Sequence, residues 1–241
     1  MALLLLLVGG APCLAGLIGT STEVRMGRDA AAQLESKYGT VEDAAKLARI
    51  RALGERLVAI CGRTDLKEWH FNILNMKEIN ALAVPGGWVY VTKGLMEVPL
   101  SEDELGFVLA HEVTHIAQRH GAKQMEKSLG LSLVVGLVTR SSDARLAARV
   151  VSMLLESGYS RKDEYRADAG GCSSLMQLRF HPWACVAFLE RLKKMEKDKP
   201  SELQRWFATH PPTSDRIARL ESQIAKAGYP RPAGHDPSAK Q

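Results

Sequence analysis

The stretch Ser101–Gly121, SEDELGFVLAHEVTHIAQRHG, constrains this chain more than any other. Its local chemistry makes it a helix. Ser101 and Glu104 have capping-box spacing, in which the serine oxygen accepts the N3 amide and the glutamate reaches back to the N-cap amide. Glu102, Asp103 and Glu104 put negative charge on the positive end of the helix dipole, Arg119 falls in the last turn, and Gly121 is the expected left-handed stop. Between Leu105 and Ala117 only His111, Glu112, Thr114 and His115 are polar, so the helix is apolar on nearly every side and therefore buried. Buried imidazoles and a buried carboxylate need partners.

The spacing indicates which partner. His111 and His115, four residues apart, project from one face and can reach a single metal ion, with Glu112 offset beside them. In this HExxH arrangement two imidazoles hold zinc, and Glu112 takes a proton from a water that the metal activates and returns it to a leaving amine. That is the chemistry of a zinc peptidase. His120 follows His115 by five residues, which turns it to the far side of the helix, so it is not counted as a ligand. The motif alone leaves a plainer reading open, two core histidines without metal.

With 241 residues, 46% hydrophobic and 24% charged, the chain can bury one sizeable core, which favours one catalytic unit with appended helices. A net charge of +5 with interleaved signs does not indicate nucleic-acid binding. Residues Ala2–Gly19 are apolar but contain four glycines and a proline and have no preceding basic residues. They read as the end of a secretory signal or an anchor whose start is incomplete; acylation at Cys13, a membrane span and a buried first segment of the fold fit less well. Cys13, Cys61, Cys172 and Cys185 show no ligand-like spacing. Cys172 and Cys185 could pair in an oxidising compartment, although buried free thiols are the simpler reading.

From Thr22 to about Cys61 the pattern is helical, broken at Tyr38-Gly39. Trp69–Leu74 and Gly87–Thr92 alternate as strands, the second after a Pro85-Gly86-Gly87 turn that Asn80-Ala81-Leu82-Ala83 leads into. A small sheet beside the cleft follows, in which GWVYVT is either an ordinary internal strand or an open edge that pairs with an extended substrate. Beyond Gly121 two amphipathic helical stretches, Lys123–Val138 and Asp143–Glu156, pack on the core or lie over the site. In SRKDEYRADAGG (160–171), Ser160 caps a new helix on which Glu164 and Asp168 share a face. A two-histidine zinc site wants a third protein ligand, and Glu164 suits it; Asp168 could then bond the outer nitrogen of a zinc histidine. Spacing leaves surface pairing with Arg161 and Arg166 equally open. A helix from Trp183 to about Lys197 ends in a charged, solvated run, and another runs from Thr213 or Ser214 through Ala227. His210, in Thr209-His210-Pro211-Pro212, reads from sequence as a surface histidine, with oxyanion binding supported by Arg216 as the functional alternative. The Pro- and Gly-rich tail from Tyr229 reads as disordered.

Four motifs in this order, NALAVPGGWVYVTKGL, HEVTHIAQRH, SRKDEYRAD and THPPTSDRI, resemble the metallopeptidase family of the HtpX heat-shock protease, the CAAX prenyl endopeptidase and the envelope proteases BepA and LoiP. The resemblance covers about Asn72 to Leu220. It implies an α+β, mainly helical gluzincin fold of the zincin type, with a small sheet beside the active-site helix. It implies one Zn2+ held by His111, His115 and Glu164, and Glu112 as base. It also places His210 and Arg216 near the substrate carbonyl, Asp168 behind a ligand, and Asn80, Gly86, Gly87, Trp88, Val89 and Tyr90 on the cleft edge. The chain lacks the long membrane helices of HtpX and the prenyl endopeptidase, and no 34-residue repeat like that of BepA is visible. It is thus most similar to compact envelope members that cleave unfolded or misassembled proteins outside the cytoplasm, periplasmic in a bacterium, with membrane association through the N-terminal segment. Residues 1–19 then form a signal or anchor remnant, 20–62 the N-terminal helices, 63–228 the zinc metallopeptidase domain and 229–241 the tail. The competing function is a chaperone-like binder of unfolded segments with weak catalysis.

Overall fold

The computed structural model describes residues 18–128, 144–211 and 214–232. Helix α1 (Thr20–Tyr38) buries Met26, Gly27, Ala30, Ala31 and Leu34, a three-and-four spacing that forms one apolar stripe with the buried Glu23 at its start, and ends at Gly39. Helix α2 (Ala44–Val58) is capped by Asp43, whose side chain accepts the Lys46 amide, and buries Leu47, Ile50, Leu53 and Leu57. The expected break at Tyr38-Gly39 is therefore where the chain turns.

Three strands follow, one more than the alternation revealed: β1 (His70–Leu74), β2 (Ala81–Val84) and β3 (Trp88–Thr92). The missing one is β2, four residues buried on both faces, which have no polar–apolar alternation to detect. The spatial order is β1-β3-β2, with β3 parallel to β1 and antiparallel to β2. GWVYVT is thus the central strand. Reading it as an open edge is corrected: alternation reports which side chains share a face but carries no information on strand order.

The short helix α3 (Lys93–Met96) leads to α4 (Glu102–Ala117), whose capping box is formed as expected, with Ser101 and Glu104 bonding reciprocally. Every residue of α4 from Glu104 to Ile116 is buried. The helix stops earlier than Gly121, however, because Arg119 takes the left-handed conformation at φ 59°. Its guanidinium bonds the buried Glu23 of α1 at 2.9 Å and the Ile18 carbonyl, and these contacts offset the cost of αL for a side chain with a Cβ. A new helix, α5 (120–128), begins directly after it.

Helices α6 (Ala144–Glu156), α7 (Arg161–Gln177), α8 (Ala184–Asp198), α9 (Pro200–Thr209) and α10 (Ser214–Lys226) complete the chain. Helix α9 was not anticipated. The sheet is covered on both faces. Phe71, Ile73, Ala83, Val89 and Val91 face the main core with α2, α4 and α8, whereas Leu82, Val84 and Tyr90 face α1 and α6. Helices α4 and α7 pack side by side. A Cβ at Gly170 of α7 would meet Thr114 Cγ2 at 2.6 Å, so glycine there lets the two backbones approach. Cys61, Cys172 and Cys185 are free thiols, the last two buried. Residues 1–17, with Cys13, residues 129–143, with the apolar run Leu129–Val138, residues 212–213 and the tail beyond 232 lie outside the described residues. Ile18, the first described residue, is fully buried and its amide bonds Glu126.

Candidate metal centre

The site is assembled where α4, α7 and the end of α9 converge. His111 and His115 turn their Nε2 atoms toward each other at 2.9 Å. Glu164, from the first turn of α7, lies 3.6 Å from His111 Nε2 through one oxygen and 3.3 Å from His115 Nε2 through the other. Its burial, at 1% exposure, disposes of the surface-pair reading. The same holds for His210, the C-cap of α9, which is 1% exposed and puts Nδ1 3.1 Å from Glu164 Oε1. The surface reading of His210 is corrected because α9, unseen in the sequence, carries it inward. One ligand atom from each of His111, His115, Glu164 and His210 lies within 4.8 Å of all the others. Three imidazoles and a carboxylate, packed together out of water, form a donor set suited to zinc.

Glu112 is fully buried beside this set, with one oxygen 3.6 Å from His210 Nε2 and neither oxygen hydrogen-bonded. A buried carboxylate without a partner is costly, and that cost is tolerated where a group does work. Burial pushes the Glu112 carboxyl up, against the opposing pull of His210 and His111. A raised carboxyl is the condition of a proton acceptor matched to neutral solution. Burial would raise Glu164 too, but His210, His115 and His111 overturn it and hold that carboxyl well below its ordinary value. Two neighbouring carboxyls are thus driven in opposite directions, one toward accepting protons and one toward staying ionised.

A second ring of groups orients the first. Asp168 lies one turn beyond Glu164, and its Oδ1 is 3.0 Å from His111 Nδ1, although off the line of an ideal hydrogen bond. Arg216 of α10 grips Asp168 with two bonds of 2.7 Å each and reaches Glu164 Oε2 at 3.0 Å. Burial opposes ionisation of Asp168, and Arg216 reverses this, so the carboxyl sits low. Arg216 therefore addresses two carboxylates inside the protein.

His120 is a further member that spacing misassigned. Because α4 ends before it, His120 folds back instead of turning away, and its Nδ1 lies 2.9 Å from His115 Nδ1. It is 2% exposed; burial draws its pKa down to about 4, with Lys123, His111 and Arg166 acting in the same sense against Asp163. Tyr159 was also unforeseen. Its ring stacks on His115, centroids 3.9 Å apart at 19°, and its hydroxyl donates to the Ala83 carbonyl at 3.4 Å. Tyr159 directly precedes Ser160, the cap residue of α7, and nothing in the local spacing points it at β2.

The residues expected along the cleft edge divide. Gly86 and Gly87 form the β2–β3 turn at φ 84° and 114°, against α1 and the Glu68 carbonyl. Trp88 stacks on His70, Val89 enters the core and Tyr90 donates to Glu35 at 2.6 Å. None of these lines an open edge, a direct consequence of β3 being central. The edge beside the metal centre is β2. Thr92 donates to the Asn80 carbonyl, so by antiparallel alternation the amides and carbonyls of Ala81 and Ala83 point away from β3. Asn80, just before this strand, is fully buried, and neither its side-chain Nδ2 nor its Oδ1 has a hydrogen bond among the described residues.

Comparison with known proteins agrees with this geometry. Fission yeast (Schizosaccharomyces pombe) mitochondrial metalloendopeptidase OMA1 is 32% identical over 217 residues, 87% of this chain and 63% of that protein. The β-barrel assembly-enhancing protease of Escherichia coli is 31% identical over 210 residues, 81% of this chain and 42% of the relative. The metalloprotease LoiP of the same bacterium is 26% identical over 169 residues, 66% and 64% of the two chains. The chain thus spans about two fifths to two thirds of the length of these relatives. Residues 44–224, which include every member of the cluster around His111 and the whole sheet, match a single family, and the chain belongs to peptidase family M48.

Proposed function

We propose that this chain is a zinc-dependent endopeptidase that cuts unfolded or misassembled polypeptides outside the cytoplasm. The observation that carries the reading is Glu112: a fully buried, unpartnered carboxylate beside facing histidine Nε2 atoms and a second carboxylate of opposite titration. His111, His115 and Glu164 would hold the zinc, one per chain, and His210 is close enough to join that set. When bound, zinc supplies a Lewis acid that polarises the scissile carbonyl and makes a water easier to deprotonate. Glu112 accepts the proton of the attacking water and delivers it to the departing amine. His210 stands where it can donate to the oxyanion, and Arg216 keeps Asp168 ionised and holds it and Glu164 in place.

The substrate reading rests on β2. The outward-facing backbone of Ala81 and Ala83 can pair with an extended peptide, which favours unfolded segments over folded surfaces. The β-barrel assembly named in one relative supports a substrate outside the cytoplasm. Among the described residues no helix is long and apolar enough to cross a membrane. The holding function has no observation of its own in its favour. The test is Glu112→Gln, compared with wild type for bound zinc and for cleavage of unfolded casein. The substitution should leave about one zinc per chain and abolish cleavage; a variant that still cuts would remove Glu112 from the chemistry.

A further inference from the structure

An imidazole binds a metal through a bare nitrogen, so the proton must sit on its other nitrogen, and the partner of that other nitrogen decides how readily it does. The two metal-facing histidines of α4 have different partners. His111 presents Nδ1 to a carboxylate, Asp168, at 3.0 Å. His115 presents Nδ1 to another imidazole, His120, at 2.9 Å, with both rings essentially out of water. Between two imidazoles the bond can run either way, and only one direction leaves His115 Nε2 bare toward Glu164 and His111.

The far end of the pair breaks the tie. His120 Nε2 is buried with no hydrogen bond among the described residues, and the atom it faces is Oδ1 of the partly exposed Asp163 at 3.5 Å, too long for a firm bond but a negative charge beside a desolvated nitrogen. That charge favours a proton on His120 Nε2, which leaves His120 Nδ1 as an acceptor. Asp163 immediately precedes Glu164, so the first turn of α7 sets both ends of the chain of rings. Glu164 competes, since it lies 3.3 Å from His115 Nε2 and would attract a proton there. The acceptor behind His115 therefore has a task to perform.

We infer that His120 is a positioning residue, whose Nδ1 accepts a hydrogen bond from His115 Nδ1–H and so holds His115 in the tautomer that can bind metal. The inference rests on the metal-site reading above and concerns residues of this chain alone. A packing role and an accepting role predict opposite rankings of two substitutions. Leucine fills the space and accepts nothing; asparagine is smaller but places its Oδ1 on the branch where Nδ1 stood.

The experiment uses the full chain, 15N-labelled and loaded with zinc, and the variants His120→Leu and His120→Asn. Wild type should show a scalar coupling across the hydrogen bond between His115 Nδ1 and His120 Nδ1, with the proton carried by His115. Zinc affinity from chelator competition should fall roughly ten- to a hundredfold in His120→Leu and stay near wild type in His120→Asn. Absence of the coupling, a proton carried by His120 Nδ1, or leucine matching or exceeding asparagine in affinity would each overturn the inference. A wild type that binds no zinc would instead bring down the proposed function and the inference with it, an outcome distinct from zinc bound equally by all three.

Discussion

Arg216 is a cation 2% exposed, held by two carboxylates that are equally enclosed. Such a node is worth less as a net source of stability than as a constraint, because desolvation cancels much of the attraction, yet removing one partner leaves buried charge behind. Arg216→Met should therefore destabilise the zinc-free protein by about 3–5 kcal/mol near pH 7. Asp168 titrates lower in the folded chain than unfolded, with Arg216 the largest pull toward its ionised form. The stabilisation from Arg216 is thus complete above the unfolded carboxylate range of about pH 4 and is lost as pH falls through the folded value. In the variant Asp168 has lost its largest ionising partner and can take up a proton instead, so the deficit should shrink between pH 7 and pH 4, as urea unfolding would measure. A deficit independent of pH would mean that Arg216 acts through packing alone. At this scale His111, Glu112 and His115 were legible because they sit on a helix whose start is written in capping residues and whose period fixes the facing side, whereas for Glu164 and Asp168 the capped helix gave only a shared face and the family resemblance turned it inward. His120 and His210 were not. The position of each depends on where a helix stops or on an element the pattern did not reveal, and local composition decides such endings weakly.

Helix α7 is the element that turns a motif into a site. Asp163, Glu164 and Asp168 all ride on it, and their distance from α4 is set where Gly170 meets Thr114. Helix propensity favours alanine over glycine by about 1 kcal/mol, but a methyl 2.6 Å from Thr114 Cγ2 has nowhere to go. The clash should win, with Gly170→Ala costing about 1–3 kcal/mol and weakening zinc binding as α7 is pushed from α4. Adding Thr114→Ala, which removes the obstructing Cγ2 and Oγ1, should restore most of the stability in chemical denaturation. Failure to recover would show that some other contact fixes the spacing. The sequence announced α7 through Ser160 and the carboxylates, and it announced the start and burial of α4 but not its end. It could not announce β2, because Ala81–Val84 is apolar without alternation, and for the same reason it assigned the substrate edge to β3.

Across the whole molecule, the sheet lies between an α2–α4 layer and an α1–α6 layer, and the metal centre is sealed inside. No member of the cluster is more than 2% exposed. Helix α6 packs along α1, α9 and β2, and the segment behind it places Tyr159 across the outward carbonyl of Ala83. A peptide that pairs with β2 has to displace that hydroxyl, so α6 and residues 157–160 must part from the rest more easily than α4 parts from α7. Native-state hydrogen exchange should show the amides of α6 opening at a lower free energy than those of α4 and α7. If α6 exchanged only through global unfolding, substrate entry along β2 would be excluded. One contact in this closed arrangement has a consequence for observation. Trp206 is buried, with its ring centroid 5.0 Å from that of His210. An indole's emission is quenched by a neighbouring imidazolium far more than by a neutral ring, and Glu164 and Glu112 prevail over burial in favouring the charged form of His210. The protein thus carries its own lamp beside the metal centre, and whatever discharges His210 brightens it.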